Sequence, residues 1–124
     1  MRFFLFGGES ISKRKSTKKW NRSHEFQYKK ATKSTKRHPA YQFAKNKRSV
    51  KYFVFTTQPH TDGVDNVPLS HNIDKKDNRI SHVRNGWFIA HKDEFEPVTD
   101  KTFELNEADI PLIKSLKNKR YKGK

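Results

Sequence analysis

The sequence contains no cysteine, which excludes a disulfide framework, a thiolate metal site and a cysteine nucleophile. Hydrophobic residues make up only 31% of the 124 residues, a low share for a globular chain, so we expect that part of it lies outside any packed core. There is also no long apolar run. Met1–Phe6 is too short for a signal-peptide core or a bilayer span, because Gly7 and Gly8 follow it. These features predict a soluble, cytoplasmic protein.

Acidic residues are scarce relative to basic ones, and the imbalance is uneven along the chain. Lys and Arg number 28 against 13 Asp and Glu, which gives a formal net charge of +15. Residues 1–50 hold 15 basic and 2 acidic side chains, residues 51–113 hold 7 and 11, and residues 114–124 hold 6 and none. Such a field attracts the phosphate backbone of a nucleic acid. The layout favours a folded body with basic ends.

Residues 10–36 combine many Lys, Ser and Thr with few apolar side chains, which predicts a mobile arm or a short helix around residues 20–30 that orders on binding. Aromatic residues lie among these cations. Because bases stack on aromatic rings while cations hold phosphates, the mixture favours RNA or DNA as the partner over a solvated linker. The expected nucleic-acid contacts are Lys13, Arg14, Lys15, Lys18, Lys19, Trp20, Arg22, Tyr28, Lys29, Lys30, Arg84, Lys119 and Arg120. Deletion of residues 10–36 is accordingly predicted to weaken binding far more than stability.

The patterns divide the chain into a basic, partly flexible arm over residues 1–36, a small β-barrel domain with a C-terminal helix over 37–118, and a basic tail over 119–124. Alternating, β-branched and aromatic residues predict strands over 39–43 and 50–57, joined by a polar turn.

Three more short strands are predicted further along the body. Residues 64–69 read as an edge strand because they include a proline. Asn85-Gly86 is a strong hairpin dipeptide, so the strands over 79–84 and 86–91 are expected to pair with each other.

The end of the body has helical spacing instead. Asn106 is an N-cap candidate, Pro111 falls in the first turn, and Ile110, Ile113 and Leu116 recur on one face. Short strands followed by one amphipathic helix predict a mainly β fold, packed as a small barrel that the helix caps.

No motif for a metal or a cofactor is present. His60, His71 and His82 recur every eleven residues, but they fall in different predicted elements and form no close helical pair. The Asp residues lie in turn-like loops, where Asp is expected for local reasons. We therefore predict neither a metal nor a cofactor.

A metal-free RNA cleavage site needs a base for the ribose 2′-OH, a cation at the phosphate and a proton donor for the leaving oxygen. Arg37 or His38 could meet Thr56 or Thr57 if the first two strands form a hairpin. Taken singly, each of these residues is more simply explained as a solvated turn or edge residue. The other candidates of this kind are His60, Ser81, His82 and Arg84.

The order of these features resembles the PemK/MazF-like toxin family over about residues 37–118. The matching pieces are Arg37-His-Pro-Ala-Tyr-Gln-Phe43, Tyr52-Phe-Val-Phe-Thr-Thr57, Val67-Pro-Leu69, Ser81-His-Val83 and the final helix. The resemblance implies an SH3-like β-barrel, commonly a homodimer, that cleaves RNA without a metal.

The resemblance also implies site residues. Arg37 would stabilise the phosphate charge, and Thr56 or Thr57 would orient the phosphate or help to transfer a proton. The sequence departs from the family pattern in two ways, since His38 is inserted after Arg37 and Thr56-Thr57 replaces Thr-Ser. Either His38 takes over the role of Arg37, or the chain binds without cleaving.

Three functions remain open from the sequence. The first is a toxin-like endoribonuclease that acts through the 2′-OH and has an antitoxin as protein partner, with a barnase/RelE-like site at His60 or His82 as a variant. The second is a non-catalytic DNA- or RNA-binding protein of a mobile element or phage. The third is a module that docks on an acidic protein or a ribonucleoprotein.

Overall fold

The computed structural model describes residues 26–122, which form an antiparallel β-sheet, a separate two-stranded ribbon and one helix. The elements are β1 (Phe26–Lys29), β2 (His38–Lys45), β3 (Ser49–Thr56), β4 (His60–Thr61), β5 (Val64–Asp65), β6 (Val67–Pro68), β7 (His82–Val83), β8 (Phe88–His91), β9 (Phe95–Pro97) and α1 (Ile110–Leu116). The expectation of a mainly β fold with a C-terminal helix is confirmed.

The main sheet is curled rather than flat. Its strand order is β6-β7-β3-β2-β1-β9, and β8 pairs with the other half of β3. The rings of Tyr52 in β3 and Phe95 in β9 lie 4.9 Å apart, whereas three strand spacings in a flat sheet would separate them by about 14 Å. β8 pairs with β3 and β9 pairs with β1, yet a single 3-10 turn, Lys92–Glu94, connects β8 to β9. The sheet stays open, because no pairing among the described residues joins β9 to β6 or β8.

Apolar side chains cover both faces of the curled sheet. The concave face holds the smaller core of Ala40, Val50, Tyr52, Val54 and Phe95. The outer face packs against α1 and the segment before it. This larger core consists of Phe26, Tyr28, Tyr41, Phe53, Phe55, Leu69, Ile73, Val83, Phe103, Leu105, Ile113 and Leu116.

The predicted helix around residues 20–30 is wrong over its described part, because Phe26–Lys29 form β1 between β2 and β9. The side chains of Phe26 and Tyr28 are 3% and 5% exposed. Burial of every second residue is the signature of a strand that packs one face on a core. The sheet therefore includes residues that the sequence assigned to the basic arm.

The predicted pairing of residues 79–84 with residues 86–91 is also wrong. β7 and β8 do not pair with each other, since both lie antiparallel to β3. Between the two ladders, a step of five residues on the β7–β8 side matches a step of three on β3. Asn85-Gly86 thus forms a bulge rather than a hairpin turn.

The bulge needs glycine because the C-terminal segment approaches it closely. Gly86 has φ 140°, and a Cβ at this position would lie 2.6 Å from the backbone N of Tyr121. The N–H of Trp87 donates to the carbonyl of Lys119 at 2.8 Å, and the N–H of Tyr121 donates to the carbonyl of Trp87 at 2.8 Å. The bulge is therefore where residues 119–121 join the sheet.

Other local predictions are confirmed. The strands predicted over 39–43 and 50–57 are β2 and β3, which pair with each other. The Asn106 side chain accepts from the N–H of Ala108 at 2.9 Å and caps the 3-10 turn that leads into α1. In the part of the chain that the structure describes, no helix has the length and apolar character needed to cross a bilayer.

Candidate functional site

Arg37 belongs to an ionic cluster on the β1–β9 side of β2. Its guanidinium lies over the Tyr28 ring, 3.8 Å from the centroid, and contacts Glu96 at 3.3 Å and Asp100 at 3.8 Å. β3 lies on the other side of β2. Arg37 is thus already partnered, and none of these contacts involves Thr56.

Tyr28 is part of the core and supports this cluster. Its hydroxyl donates to Asp100 Oδ1 at 2.8 Å. Burial and this hydrogen bond raise the pKa of Tyr28 to about 12, and the same hydrogen bond lowers the pKa of Asp100 below its ordinary value of 3.8. Since the residue is only 5% exposed, Tyr28 is not available for stacking on a base.

Replacement of Asp100 should weaken the acid sensitivity of the fold. The folded state lowers the pKa of Asp100 below its ordinary value of 3.8. The ionised carboxylate therefore stabilises the fold fully at pH values above 3.8, and this contribution is lost as the pH falls through the lowered pKa. Asp100→Asn should lower the melting temperature at neutral pH and flatten its decline in acid. Circular dichroism melts between neutral and strongly acidic pH measure this, with Asp65→Asn as control. Parallel pH profiles for wild type and Asp100→Asn would contradict the assignment.

Arg84 fastens the C-terminal segment to a loop. It donates to Asp62 Oδ2 at 2.8 Å and to the Tyr121 hydroxyl at 2.6 Å, and its side chain is 12% exposed. Its guanidinium also lies 4.4 Å from the Tyr121 ring centroid. These contacts give Arg84 a structural role in this conformation.

The remaining predicted nucleic-acid contacts have different surroundings. Lys29 pairs with Glu94 at 3.0 Å and thereby lowers the pKa of Glu94. Lys30, Lys119 and Arg120 are exposed. The contacts that lie outside the described residues are Lys13, Arg14, Lys15, Lys18, Lys19, Trp20 and Arg22.

A surface that the sequence did not indicate follows the β3–β8 ladder and the segment beside it. We give the name basic ridge to the cations along this ladder and segment, with Trp87 beside them. They are Lys47 and Arg48 in the turn before β3, Lys51 in β3, Lys92 after β8, and Lys119 and Arg120 beside Trp87. Lys51 Nζ lies 4.6 Å from the Trp87 ring centroid, and the Arg120 guanidinium lies 5.5 Å from it. Over residues 26–122, none of the six cations of the ridge has an ion pair.

The pairing of the acidic residues explains why the charge of this segment concealed the ridge. Residues 51–113 carry more acids than bases, but many of these acids pair with cations outside the ridge. The pairs are Glu94 with Lys29, Glu96 and Asp100 with Arg37, Glu104 with Lys75, Asp77 with Arg79, Asp62 with Arg84 and Asp74 with Lys101. The net charge of a chain segment is the same whether its cations all pair with acids or some of them stay unpaired on a separate surface.

A second constellation lies at the end of the concave face. We call it the histidine row, and it consists of Lys29 of β1, His38 of β2, Thr56 of β3 and His82 of β7. Lys29 pairs directly with His38, and Thr56 with His82. The β2–β3 register, continued by two residues from its last pair, brings His38 level with Thr56. Because directly opposed residues share a face, the four side chains lie on one face of four adjacent strands.

The other catalytic candidates are not part of this row. Ser81 is buried, where its N–H donates to Asn72 and its hydroxyl accepts from the N–H of Ile73. His60 is exposed and pairs with Asp65. Thr57 follows β3 directly and is half-buried. The predicted meeting of His38 with Thr56 is the one that the strand register supports.

The described residues show no metal centre. Over residues 26–122, no three His, Asp or Glu side chains are placed to hold an ion together.

Comparison with known proteins finds no family model, no curated protein and no solved structure that matches this chain.

Proposed function

We propose that this protein binds nucleic acid and that the basic ridge holds the phosphates of an unpaired strand. The carrying observation is that six cations along the β3–β8 ladder and residues 119–120 have no ion pair among the described residues, and that two of them, Lys51 and Arg120, lie over the Trp87 ring. Cations that have no carboxylate partner can exchange their counterions for phosphates, which is the main source of affinity for nucleic acids. An aromatic ring among them offers a stacking surface for any base.

The competing occupant of the ridge is an acidic protein, which the same charge would attract. Trp87 favours nucleic acid, because a flat ring flanked by cations suits a chain that alternates bases with phosphates. The cations of residues 1–25 and 123–124 would add to the same attraction.

The salt dependence of RNA binding tests the ridge. In the triple variant Lys51→Gln/Lys92→Gln/Arg120→Gln, the plot of log K against log salt should become shallower. The magnitude of its negative slope should decrease by about 2, since each phosphate contact on a single strand contributes about 0.7. The matched control is Lys75→Gln/Arg79→Gln/Lys101→Gln, which removes the same charge from residues that already pair with acids. It should keep the slope. Equal losses in both variants would show that only net charge matters, and no binding at low salt would refute the function.

The second candidate is a metal-independent endoribonuclease, which the resemblance to the PemK/MazF-like family implies. The curl of the sheet and the short β8–β9 connection support a partly open SH3-like barrel. The specific observation in favour of cleavage is the histidine row. The ionic cluster of Arg37 argues against the role that the resemblance gives to this residue. A homodimer and an antitoxin partner are proposed only as part of this candidate.

A further inference from the structure

We infer that the histidine row is an RNA cleavage site in which His38 and His82 act as a general acid–base pair on either side of Thr56. The inference rests on the proposed function in one respect, namely that the ligand is RNA. It does not need the basic ridge, because Trp87 packs against the core of the outer face while the row lies on the concave face.

The spacing of the row suits a phosphodiester. His38 and His82 lie on strands that flank β3, so two strand spacings, about 10 Å, separate their backbones. Two hydrogen bonds of about 2.8 Å, one on each side of a phosphate group, span a similar distance. Side chains on the concave face converge, as the rings of Tyr52 and Phe95 do, so the backbone separation is an upper bound for the two imidazoles. One phosphate can therefore lie between them, with Thr56 on the strand in the middle.

Local hydrogen bonds orient both imidazoles in the same way. Nδ1 of His38 lies 2.8 Å from the carbonyl oxygen of Lys36, and Nδ1 of His82 lies 3.1 Å from that of Ile80. A carbonyl oxygen only accepts, so Nδ1 carries the hydrogen in each case. The lone pair of each neutral imidazole is thereby placed on Nε2, the atom that is free for proton transfer.

Nε2 of His82 remains accessible although most of the side chain is buried. His82 is 9% exposed. In the described chain, the buried side-chain polar atoms that lack a hydrogen bond are Asn66 Oδ1 and Arg84 Nε. Among residues 26–122, Nε2 of His82 has no hydrogen-bond partner, and it is not one of these buried atoms, so part of its surface is open.

The proposed reaction is a transesterification. One of the two imidazoles, in its neutral form, takes the proton of the ribose 2′-OH while the 2′-oxygen forms a bond to phosphorus, and the other imidazole begins the step protonated. The bond from phosphorus to the 5′-oxygen breaks, and the protonated imidazole gives its proton to that oxygen. The products are a 2′,3′-cyclic phosphate and a 5′-hydroxyl, and proton exchange with water restores the two imidazoles.

Thr56 and Lys29 can stabilise the phosphate during this step. The Thr56 hydroxyl oxygen accepts from the N–H of Gln58 at 3.1 Å, which leaves its own hydrogen to donate to a non-bridging oxygen. Lys29 stands next to His38 in the row, and its partner Glu94 is 48% exposed. A phosphate can therefore replace the carboxylate as the partner of Lys29.

The test measures cleavage and binding in parallel. Purified full-length protein is incubated with a pool of random-sequence, end-labelled single-stranded RNA in EDTA, and the products are separated on gels. Cleavage with 2′,3′-cyclic phosphate ends is expected, and His38→Gln or His82→Gln should slow it by at least about 100-fold. The control is His71→Gln, an exposed histidine outside the row, which should cleave at the wild-type rate. A 2′-O-methyl pool should bind without being cleaved.

The outcomes separate the two proposals. Fluorescence anisotropy that shows binding without any cleavage overturns the cleavage site and leaves the proposed function in place. Cleavage that survives both substitutions, or that requires a divalent metal, also overturns it. Absence of binding at low salt overturns the proposed function itself. Because His82 is buried, its variant is checked by circular dichroism, and the half-buried His38 decides the result if the His82 variant does not fold.

Discussion

A chain that lacks residues 10–36 is expected to be unfolded at room temperature, because the deletion removes β1 from between β2 and β9. The Phe26 ring contacts the rings of Tyr41, Phe55 and Phe103 at centroid distances of 5.1, 5.5 and 5.7 Å. Truncation of one buried Phe typically costs about 3–5 kcal/mol, and the whole stability of a domain is about 5–15 kcal/mol. Loss of Phe26, Tyr28 and the ladder bonds of β1 should therefore exceed the available stability.

Circular dichroism and thermal melting measure this effect. The matched control is deletion of residues 10–25, which retains β1 and should retain a cooperative transition. It should also bind RNA more weakly, since the predicted contacts from Lys13 to Arg22 are removed. A melting curve for the longer deletion that matches full-length protein would mean that β1 does not contribute to the core. The outcome expected here reverses the sequence-based expectation, which treated residues 10–36 as dispensable for folding.

Substitution of Gly86 by alanine is expected to detach residues 119–121 from the sheet. The new Cβ would meet the backbone N of Tyr121 at 2.6 Å and the carbonyl oxygen of Lys119 at 2.8 Å, at a φ of 140°. The strained backbone should cost roughly 1–3 kcal/mol, and the overlap should add about 1–3 kcal/mol. Because Arg120 then leaves Trp87, RNA affinity should fall together with stability.

Thermal melts and RNA titrations of the same samples test this prediction. We expect a drop in melting temperature on the order of 10–20 °C. The control is Asn85→Ala at the neighbouring position, which removes only the exposed hydrogen bond from Lys119 Nζ to Asn85 Oδ1 and should change stability by less than about 0.5 kcal/mol. A Gly86→Ala protein with wild-type stability and affinity would contradict the role assigned to the bulge.

The sequence predicts those strands and caps that are determined by interactions between residues close together in the chain. The alternation in β2, the apolar run of β3 and the capping by Asn106 depend on neighbours within a few residues, and each is present in the structure. Asn85-Gly86 also has a local signal, but that signal predicts a hairpin turn, and the structure has a bulge there. Here glycine serves the approach of Tyr121, which lies more than thirty residues further along the chain, and no short pattern encodes such a contact.

In the candidate sites too, the sequence predicts contacts between neighbouring elements but not contacts that depend on pairing between distant strands. The short turn predicts that β2 pairs with β3, so the proximity of His38 to Thr56 or Thr57 could be predicted. The register shift between Gln42 and Ala44, which places Thr56 rather than Thr57 level with His38, could not. The addition of His82 could not, because it depends on β7 pairing with β3. The basic ridge was missed since Lys51 and Trp87 meet only when β8 pairs with β3. The burial of Tyr28 was missed because cations surround β1 in the sequence.

Titration of ¹⁵N-labelled protein with a short single-stranded RNA, followed by NMR, tests the basic ridge as the binding surface most directly. We expect the largest chemical-shift changes at the backbone of Lys47–Lys51 and at the indole N–H of Trp87, with small changes near the paired residues Asp77, Arg79 and Lys101. Shifts that are concentrated around those paired residues, with an unchanged Trp87 indole signal, would contradict the account.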